Sequence, residues 1–197
     1  MLVRISYAQH QVTREISGSK ITRIQIDSRM ASALKVTTHT SQQITVTLKT
    51  EGEFTEEIFP VIQKPTPGEL SIRLVWNPAF TLPDDKLSAH KVISVSLEVR
   101  IPESRIVSIK GGDAFSIIKG KYEKIAIKLD DAHCYLEEVT GFLEVTVNKG
   151  NIHILSPEAN VQATSLYGRV EGKAKKTYKT YIHATSKRGN VYINKPE

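Results

Sequence analysis

The sequence is poor in the residues that mark several large classes of protein. It has one cysteine and one tryptophan in 197 residues, so an internal disulfide framework is excluded. No run of about 18 apolar residues occurs, so no transmembrane helix is encoded. No segment shows a convincing helical period. Cys134 falls in a predicted inward column of a β repeat, which predicts a buried and inert thiol.

The sequence also lacks the motifs of common catalytic and metal sites. It has no GxxxxGK[ST] phosphate loop and no GxSxG nucleophile elbow. Asp130 and Asp131 are adjacent, so they point to opposite sides of a strand or lie in a corner, and they make a poor acid and base pair. None of the histidines shows the HxH or HExxH spacing of a zinc site; they stand at positions 10, 39, 90, 133, 153 and 183. We therefore predict no enzyme, no catalytic residue, no cofactor and no metal.

The formal charge of +6 suggests nucleic acid or an anionic surface as a partner. However, basic and acidic residues are mixed along the chain from Lys119 onward, which is typical of a solvated surface. The densest basic cluster, residues 173–179, contains four lysines and is interpreted as a polar loop. The sequence therefore predicts no nucleic-acid partner.

A repeated unit dominates the second half of the sequence. Residues 142–155 alternate apolar and polar positions on either side of a Lys-Gly-Asn turn, which predicts strand, turn and strand. Similar units recur every 18 to 21 residues. The last apolar or small residues before the turns are Ile109, Leu129, Val147, Ser165 and Ser186, and the first ones after the turns are Phe115, Cys134, Ile152, Val170 and Val191. Four units share a five-residue step across the turn, and the first is one residue longer.

This repeat predicts an all-β, single-domain β-solenoid or β-helix-like stack of short strands, with coils of about 18 to 21 residues. The domain spans 10–197, with N-terminal strands in 16–76, a long loop at 77–91 and regular coils in 92–194. The two columns are expected to point inward. Beside them we expect Ile127, Val145, Ile117, Leu136, Ile154 and Ile193.

The turn residues carry a family resemblance. The turns at 150–152, 189–191 and 168–170 read Gly-Asn-Ile, Gly-Asn-Val and Gly-Arg-Val, and a β segment ending in Arg-Ile-Pro at 100–102 precedes them. This pattern, over roughly 16–194, resembles a bacterial family of putative adhesins with β-helical head domains. The resemblance implies a β-helical fold and an adhesion-type role, and it implies no defined ligand or reaction.

The register also predicts a binding face. Residues one position after the inward column, and those one position before it, should line the outside of successive coils. They are Tyr135, His153, Glu171 and Tyr192, flanked by His133, Asn151, Arg169 and Asn190. Such a surface can stack on a cell-surface glycan or pair with a protein strand. The competing interpretation is cross-strand pairing that only stabilises the sheet.

Three functional hypotheses follow. The favoured one is a non-enzymatic structural or adhesion-type binding protein, associated with the envelope or cell surface, with an unknown partner. The second is a carbohydrate-binding or carbohydrate-active β-helix protein, and the third is a soluble protein of unknown role. Ser6-Tyr7-Ala8-Gln9 resembles the cleavage end of a truncated signal peptide, which favours an extracytoplasmic location over a cytoplasmic one.

Overall fold

The computed structural model describes residues 9–52, 55–81, 93–177 and 179–194. Most of the predicted long loop and residues 6–8 of the predicted signal-peptide end lie outside these ranges. Within them, strands predominate, and the one helical segment is a single 3₁₀ turn at Thr55–Glu57. No helix in the described part of the chain is long and apolar enough to cross a membrane. The protein is therefore all-β, as the sequence predicts.

Fifteen strands form in the described ranges, and they join into one sheet. Their bounds are β1 Gln9–Ser17, β2 Arg23–Ser28, β3 Ala33–His39, β4 Gln43–Gly52, β5 Ile58–Gln63, β6 Glu69–Trp76, β7 Ile93–Pro102, β8 Ile106–Gly111, β9 Phe115–Asp131, β10 Cys134–Lys149, β11 Ile152–Leu155, β12 Asn160–Ser165, β13 Val170–Gly172, β14 Thr180–Arg188 and β15 Val191–Ile193.

The strands follow the alternation of the sequence. Leu34 and Val36 in β3, and Val46 and Leu48 in β4, are buried, while the residues between them are not. Such alternation is typical of strands with one face on the core. Strand β1 was not predicted from the sequence. It carries few apolar residues and lies at the edge of the sheet, where β4 is its one strand partner among the described residues.

Most strands pair in parallel and fall into two stacks. The first stack runs β6, β2, β8, the second half of β9, the second half of β10, β14 and β12. The second stack runs β7, β3, the first half of β9, the first half of β10, β11, β15 and β13. Antiparallel strands extend both: β5 borders β6, and β4 and β1 border β7. The N-terminal strands thus share the stacks with the strands of the second half of the chain.

The long strands β9 and β10 pass from one stack to the other through a bend. In β10 the bend contains Gly141, whose φ is +115°. A Cβ atom at this position would lie 1.9 Å from the carbonyl oxygen of Tyr122 on β9. Glycine is required here because the backbones approach too closely for a side chain.

The pairing corrects the predicted alignment of the first repeat unit. Gly111 pairs with Leu129, and Ser116 pairs with Cys134. The step from 111 to 116 is five residues, so this unit has the same step as the other four. The sequence prediction started from Ile109, two residues too early, because a glycine does not look like a core position. Gly111 fills that position because the Leu129 side chain occupies the space beside it.

The corrected register explains the burial. Phe115 is 45% exposed and Ile117 is half-buried, while Ser116 and Ile118 point into the core. The prediction that Phe115 and Ile117 point inward is wrong. Val170 is 43% exposed because β13 ends the second stack, where β15 is its one strand partner among the described residues. The other predicted inward residues are buried except Ser165, which is half-buried on β12.

The order of the last coils also differs from the chain order. Strand β14 lies between β10 and β12, and β15 lies between β11 and β13. The last two strands of the chain, β14 and β15, are thus inserted ahead of β12 and β13, which precede them in sequence. The reason is burial: Ile182 and Ala184 of β14 are fully covered, whereas β12 is more polar and occupies the edge.

Candidate functional site

The predicted face lies on the outside of the second stack. The register places Tyr135, His153, Tyr192 and Glu171 side by side on β10, β11, β15 and β13. The turns before these strands carry the four flanking residues in the same order, namely His133, Asn151, Asn190 and Arg169. The structure therefore brings all eight residues together. Because the last coil is inserted, Tyr192 precedes Glu171 and Asn190 precedes Arg169. We call this surface, together with Phe115, the ladder face.

Four aromatic rings are in contact across the ladder face. Ring centroids lie 4.9 Å apart for Phe115 and Tyr135, 4.4 Å for Tyr135 and His153, and 5.0 Å for His153 and Tyr192. The Tyr135 and His153 rings are nearly parallel, with 6° between their planes. Such pairs stabilise a sheet by about 0.5–1.5 kcal/mol each beyond their buried area.

His153 corrects the prediction that the whole row faces solvent. It lies on the outer side of β11, yet it is only 2% exposed because Tyr135 and Tyr192 cover its ring on both sides. Tyr135, Tyr192 and Glu171 are half-buried. The parts of the Tyr135 and Tyr192 rings that remain accessible are therefore their edges.

Side chains of the turns hold the ladder face in place. The Asn190 amide N–H donates to Oδ1 of Asn151 at 2.8 Å, and the Arg169 amide N–H donates to Oδ1 of Asn190 at 2.9 Å. The Asn190 side chain also donates from Nδ2 to the Tyr192 hydroxyl at 2.7 Å. Asn151 and Asn190 are thus occupied by structural hydrogen bonds. The side chains of His133 and Arg169 are exposed at the border of the face.

The chemistry around this face is not that of a nucleophile or an acid and base pair. Cys134 lies beneath it and is fully covered, and burial raises the pKa of its thiol to about 12. Asp130 accepts a hydrogen bond from Nδ2 of Asn148, and Asp131 forms an ion pair with Lys149, so the two carboxylates have separate partners. Across the described ranges, no three His, Cys, Asp or Glu residues cluster as metal ligands.

A second aromatic surface was missed by the sequence analysis. Phe142 on β10 and Tyr181 on β14 stack with centroids 5.2 Å apart and 6° between the ring planes. They meet because β14 is inserted beside β10; in chain order, β12 would place Asn160 beside Phe142. One signal was present in the sequence, since each ring directly precedes a buried residue, Leu143 or Ile182.

Comparisons with known proteins give a fold and no family. No family model matches the chain, and no curated protein matches it. A solved structure of a putative cell adhesion protein from Clostridium sporogenes ATCC 15579 is similar with a TM-score of 0.55 and 10% identity, over 95% of this chain and 99% of that one. A putative adhesin from Bacteroides fragilis NCTC 9343 gives a TM-score of 0.43 and 10% identity, over 93% of this chain and 97% of that one. The likeness to the Clostridium protein shows a shared fold.

Proposed function

We propose that this chain is a non-enzymatic, adhesion-type binding protein, in which the parallel stacks form a single-domain β-solenoid that presents the ladder face to a protein on a cell surface. The observation that carries the proposal is the continuous row of four contacting rings, with Phe115 exposed at one end. The shared fold with a protein described as a cell adhesion protein supports the same class of function.

A protein partner suits the geometry better than a glycan does. A sugar ring stacks on the flat face of an aromatic ring, but the faces of Tyr135 and His153 are already covered by their neighbours. Ring edges and the exposed Phe115 offer a narrow apolar strip instead. Aromatic residues and arginine are enriched in protein interfaces, and Arg169 stands exposed at the far end of this strip.

The face is also large enough for a specific contact. From Phe115 on β9 to Arg169, in the turn before β13, it crosses five neighbouring strands. With strands about 4.8 Å apart, it is roughly 19 Å wide. A rigid strip of this width needs little ordering on binding, which lowers the entropic cost of association.

A carbohydrate-active enzyme on the same fold has less support. Hydrolysis of a glycosidic bond commonly uses two carboxyl groups that face one bond from opposite sides. The ladder face contributes a single carboxylate, that of Glu171. Asp130 and Asp131 already have separate partners. We therefore keep the binding function as the proposal.

The test uses beads coated with the purified protein on cultured epithelial cells whose surface glycans have been removed with glycosidases, so that a sugar site elsewhere on the chain does not contribute. We expect beads with the wild-type chain to bind, and binding to fall several-fold when Phe115→Ser and Arg169→Ala are combined. Phe142→Ser is the matched control, because Phe142 is an equally large exposed aromatic residue on the other stack. Beads with Phe142→Ser should bind as well as beads with the wild type. Protease treatment of the cells should abolish the binding of both.

Phe115 and Arg169 are better probes than Tyr135, whose removal would open the row of rings. Thermal unfolding of the double variant should stay within a few degrees of the wild type, which separates a binding defect from a folding defect. Equal binding by the wild type and the double variant would refute the proposal, as would binding that survives protease treatment.

A further inference from the structure

A groove lies on the outer side of the first stack, away from the ladder face. It has a volume of about 340 Å³, near the lower end of the range for small-molecule sites, roughly 300–1,000 Å³. The stacked pair of Phe142 and Tyr181 forms part of its lining. Phe142 is 59% exposed and stacks on the half-buried Tyr181, so the two rings form an exposed aromatic patch. The groove therefore offers an accessible aromatic surface.

Polar side chains surround this aromatic pair in a regular pattern. Lys124 and Asn160 flank the pair in its own row across the strands. Glu144, His183 and Gln162 form the next outward row, two residues further along the same strands, and lie next to one another. Two residues along a strand correspond to about 6.6 Å. A six-membered ring placed on Phe142 or Tyr181 would have these side chains within reach.

These polar groups are not used by the fold. The side chains of Glu144, Gln162 and His183 make no hydrogen bond and no ion pair with the described part of the chain. Four residues beyond Glu144, on the same side of β10, Asn148 donates a hydrogen bond to Asp130 of β9. Pairing between neighbouring strands is therefore available on this side of the sheet, and the groove residues keep their donors and acceptors free.

We propose that this groove is a subsite for a pyranose ring of a neutral glycan. One side of such a ring carries C–H groups that stack on an aromatic face, and its rim carries hydroxyl groups that both donate and accept hydrogen bonds. The amide of Gln162, the carboxylate of Glu144 and the imidazole of His183 match that rim. The aromatic pair matches the C–H side.

The charges of the groove favour a neutral sugar. Glu144 carries one negative charge and Lys124 carries one positive charge, so the formal charge of the lining is zero with His183 neutral. An acidic sugar would meet the Glu144 carboxylate, and an amino sugar with a free ammonium would meet Lys124. Neither would gain a dominant attraction from the site.

This proposal does not depend on the proposed function. The groove uses the first stack and the ladder face uses the second, and their residues do not overlap. A protein that binds cells through the ladder face could lack sugar binding, and the reverse also holds. Phe115 and Phe142 therefore serve as reciprocal controls in the two experiments.

The experiment titrates the purified chain with two neutral tetrasaccharides, one of β-1,4-linked glucose and one of β-1,4-linked N-acetylglucosamine. Binding is followed by saturation-transfer NMR and by the side-chain amide signals of Gln162 and Asn160. We expect at least one probe to bind and to shift both amides. Phe142→Ala should weaken binding on the order of tenfold, Glu144→Gln should weaken it by a smaller factor, and Phe115→Ala should leave it unchanged.

Three results would overturn the proposal. The first is that neither tetrasaccharide binds at millimolar concentration. The second is that Phe142→Ala, with the thermal stability of the wild type, binds as tightly as the wild type does. The third is concentration-dependent dimerisation that Phe142→Ala abolishes, since a second copy of the chain would then cover the groove. An acidic tetrasaccharide of galacturonate should bind no more tightly than the neutral probes, and tighter binding would overturn the assignment to a neutral sugar.

Discussion

The amide N–H of Asn190 donates a hydrogen bond of 2.8 Å to the side-chain Oδ1 of Asn151. These residues are 39 positions apart in the chain, and their turns are direct neighbours in the second stack. The contact joins the inserted coil to the body of the protein. It also explains why an asparagine follows glycine in both turns, since the side-chain oxygen replaces an acceptor that the turn backbone does not supply.

The first prediction tests this contact. Asn151→Ala leaves the Asn190 amide without its acceptor and should lower the free energy of unfolding by about 1–2 kcal/mol. Urea unfolding measures the change. Asn160→Ala is the matched control, because the Asn160 side chain makes no hydrogen bond in the described structure, and its effect should be under about 0.5 kcal/mol. Equal losses for the two variants would contradict the assignment.

The second prediction concerns the order of the last coils. Amide hydrogens of β14 and β15 should exchange more slowly than those of β12 and β13, although β14 and β15 come later in the chain. The reason is that β14 and β15 have a strand on each side, whereas β12 and β13 end their stacks. Hydrogen exchange followed by NMR would show it. Protection that declines steadily in chain order would show that the final coil is not inserted.

The third prediction follows from the corrected register. Ile152 is fully buried, so Ile152→Asp should abolish cooperative folding by burying an unpaired charge. Phe115→Asp places the same charge on an exposed strand position and should cost only about 1 kcal/mol, mainly the ring contact with Tyr135. Thermal melting followed by circular dichroism distinguishes the two. Loss of folding in both variants would contradict the pairing of Ser116 with Cys134 and would support the alignment of Phe115 with Cys134 that the sequence predicts.

The fourth prediction concerns the turn glycine at position 150. Gly150 has a φ of +112°, and a Cβ atom there would lie 2.1 Å from the carbonyl oxygen of Ala132. Gly150→Ala should therefore cost more than about 3 kcal/mol in the free energy of unfolding. In Gly112→Ala the nearest atom would be the Arg29 oxygen at 3.2 Å and φ is not positive, so the cost should be much smaller. Guanidinium unfolding of both variants measures the difference.

The fifth prediction concerns Tyr122, which is buried at the bend of β9. Its hydroxyl contacts the carbonyl oxygens of Val36 and Lys119, each at 3.1 Å. Tyr122→Phe should lower the free energy of unfolding by about 1–2 kcal/mol at neutral pH.

Burial raises the pKa of Tyr122 far above its ordinary value of 10.0. Above pH 10.0 the unfolded chain loses the phenol proton of Tyr122, while the folded chain keeps it. The contribution of Tyr122 to the free energy of unfolding is therefore complete below pH 10.0 and falls as the pH rises above it. Unfolding measured one pH unit below and one pH unit above 10.0 should show a larger fall in the wild type than in Tyr122→Phe, by about 1.4 kcal/mol in total over that interval. Parallel pH profiles would contradict this.

Local pattern was enough to predict most of the strands and most of the core, although it missed β1. Alternation identified β3, β4 and the repeat, because a period of two fixes which side chains face inward wherever one face is buried. The same rule failed at Phe115. A shift of one residue in the alignment at a turn moves every side chain of the following strand to the opposite face of the sheet. Because Gly111 has no apolar side chain, the sequence did not mark it as the core position that fixes this alignment.

The sequence by itself determined an all-β chain with the eight residues of the predicted face at equivalent positions of successive turns. Only the tertiary structure decided which of these turns are neighbours. The insertion of β14 and β15 placed Tyr192 beside His153 and Tyr181 beside Phe142, and neither contact follows from spacing along the chain. The physical reason is that a parallel strand can pair with any strand of matching register. Burial of Ile182 and Ala184, which involves the whole core, selects one order among them.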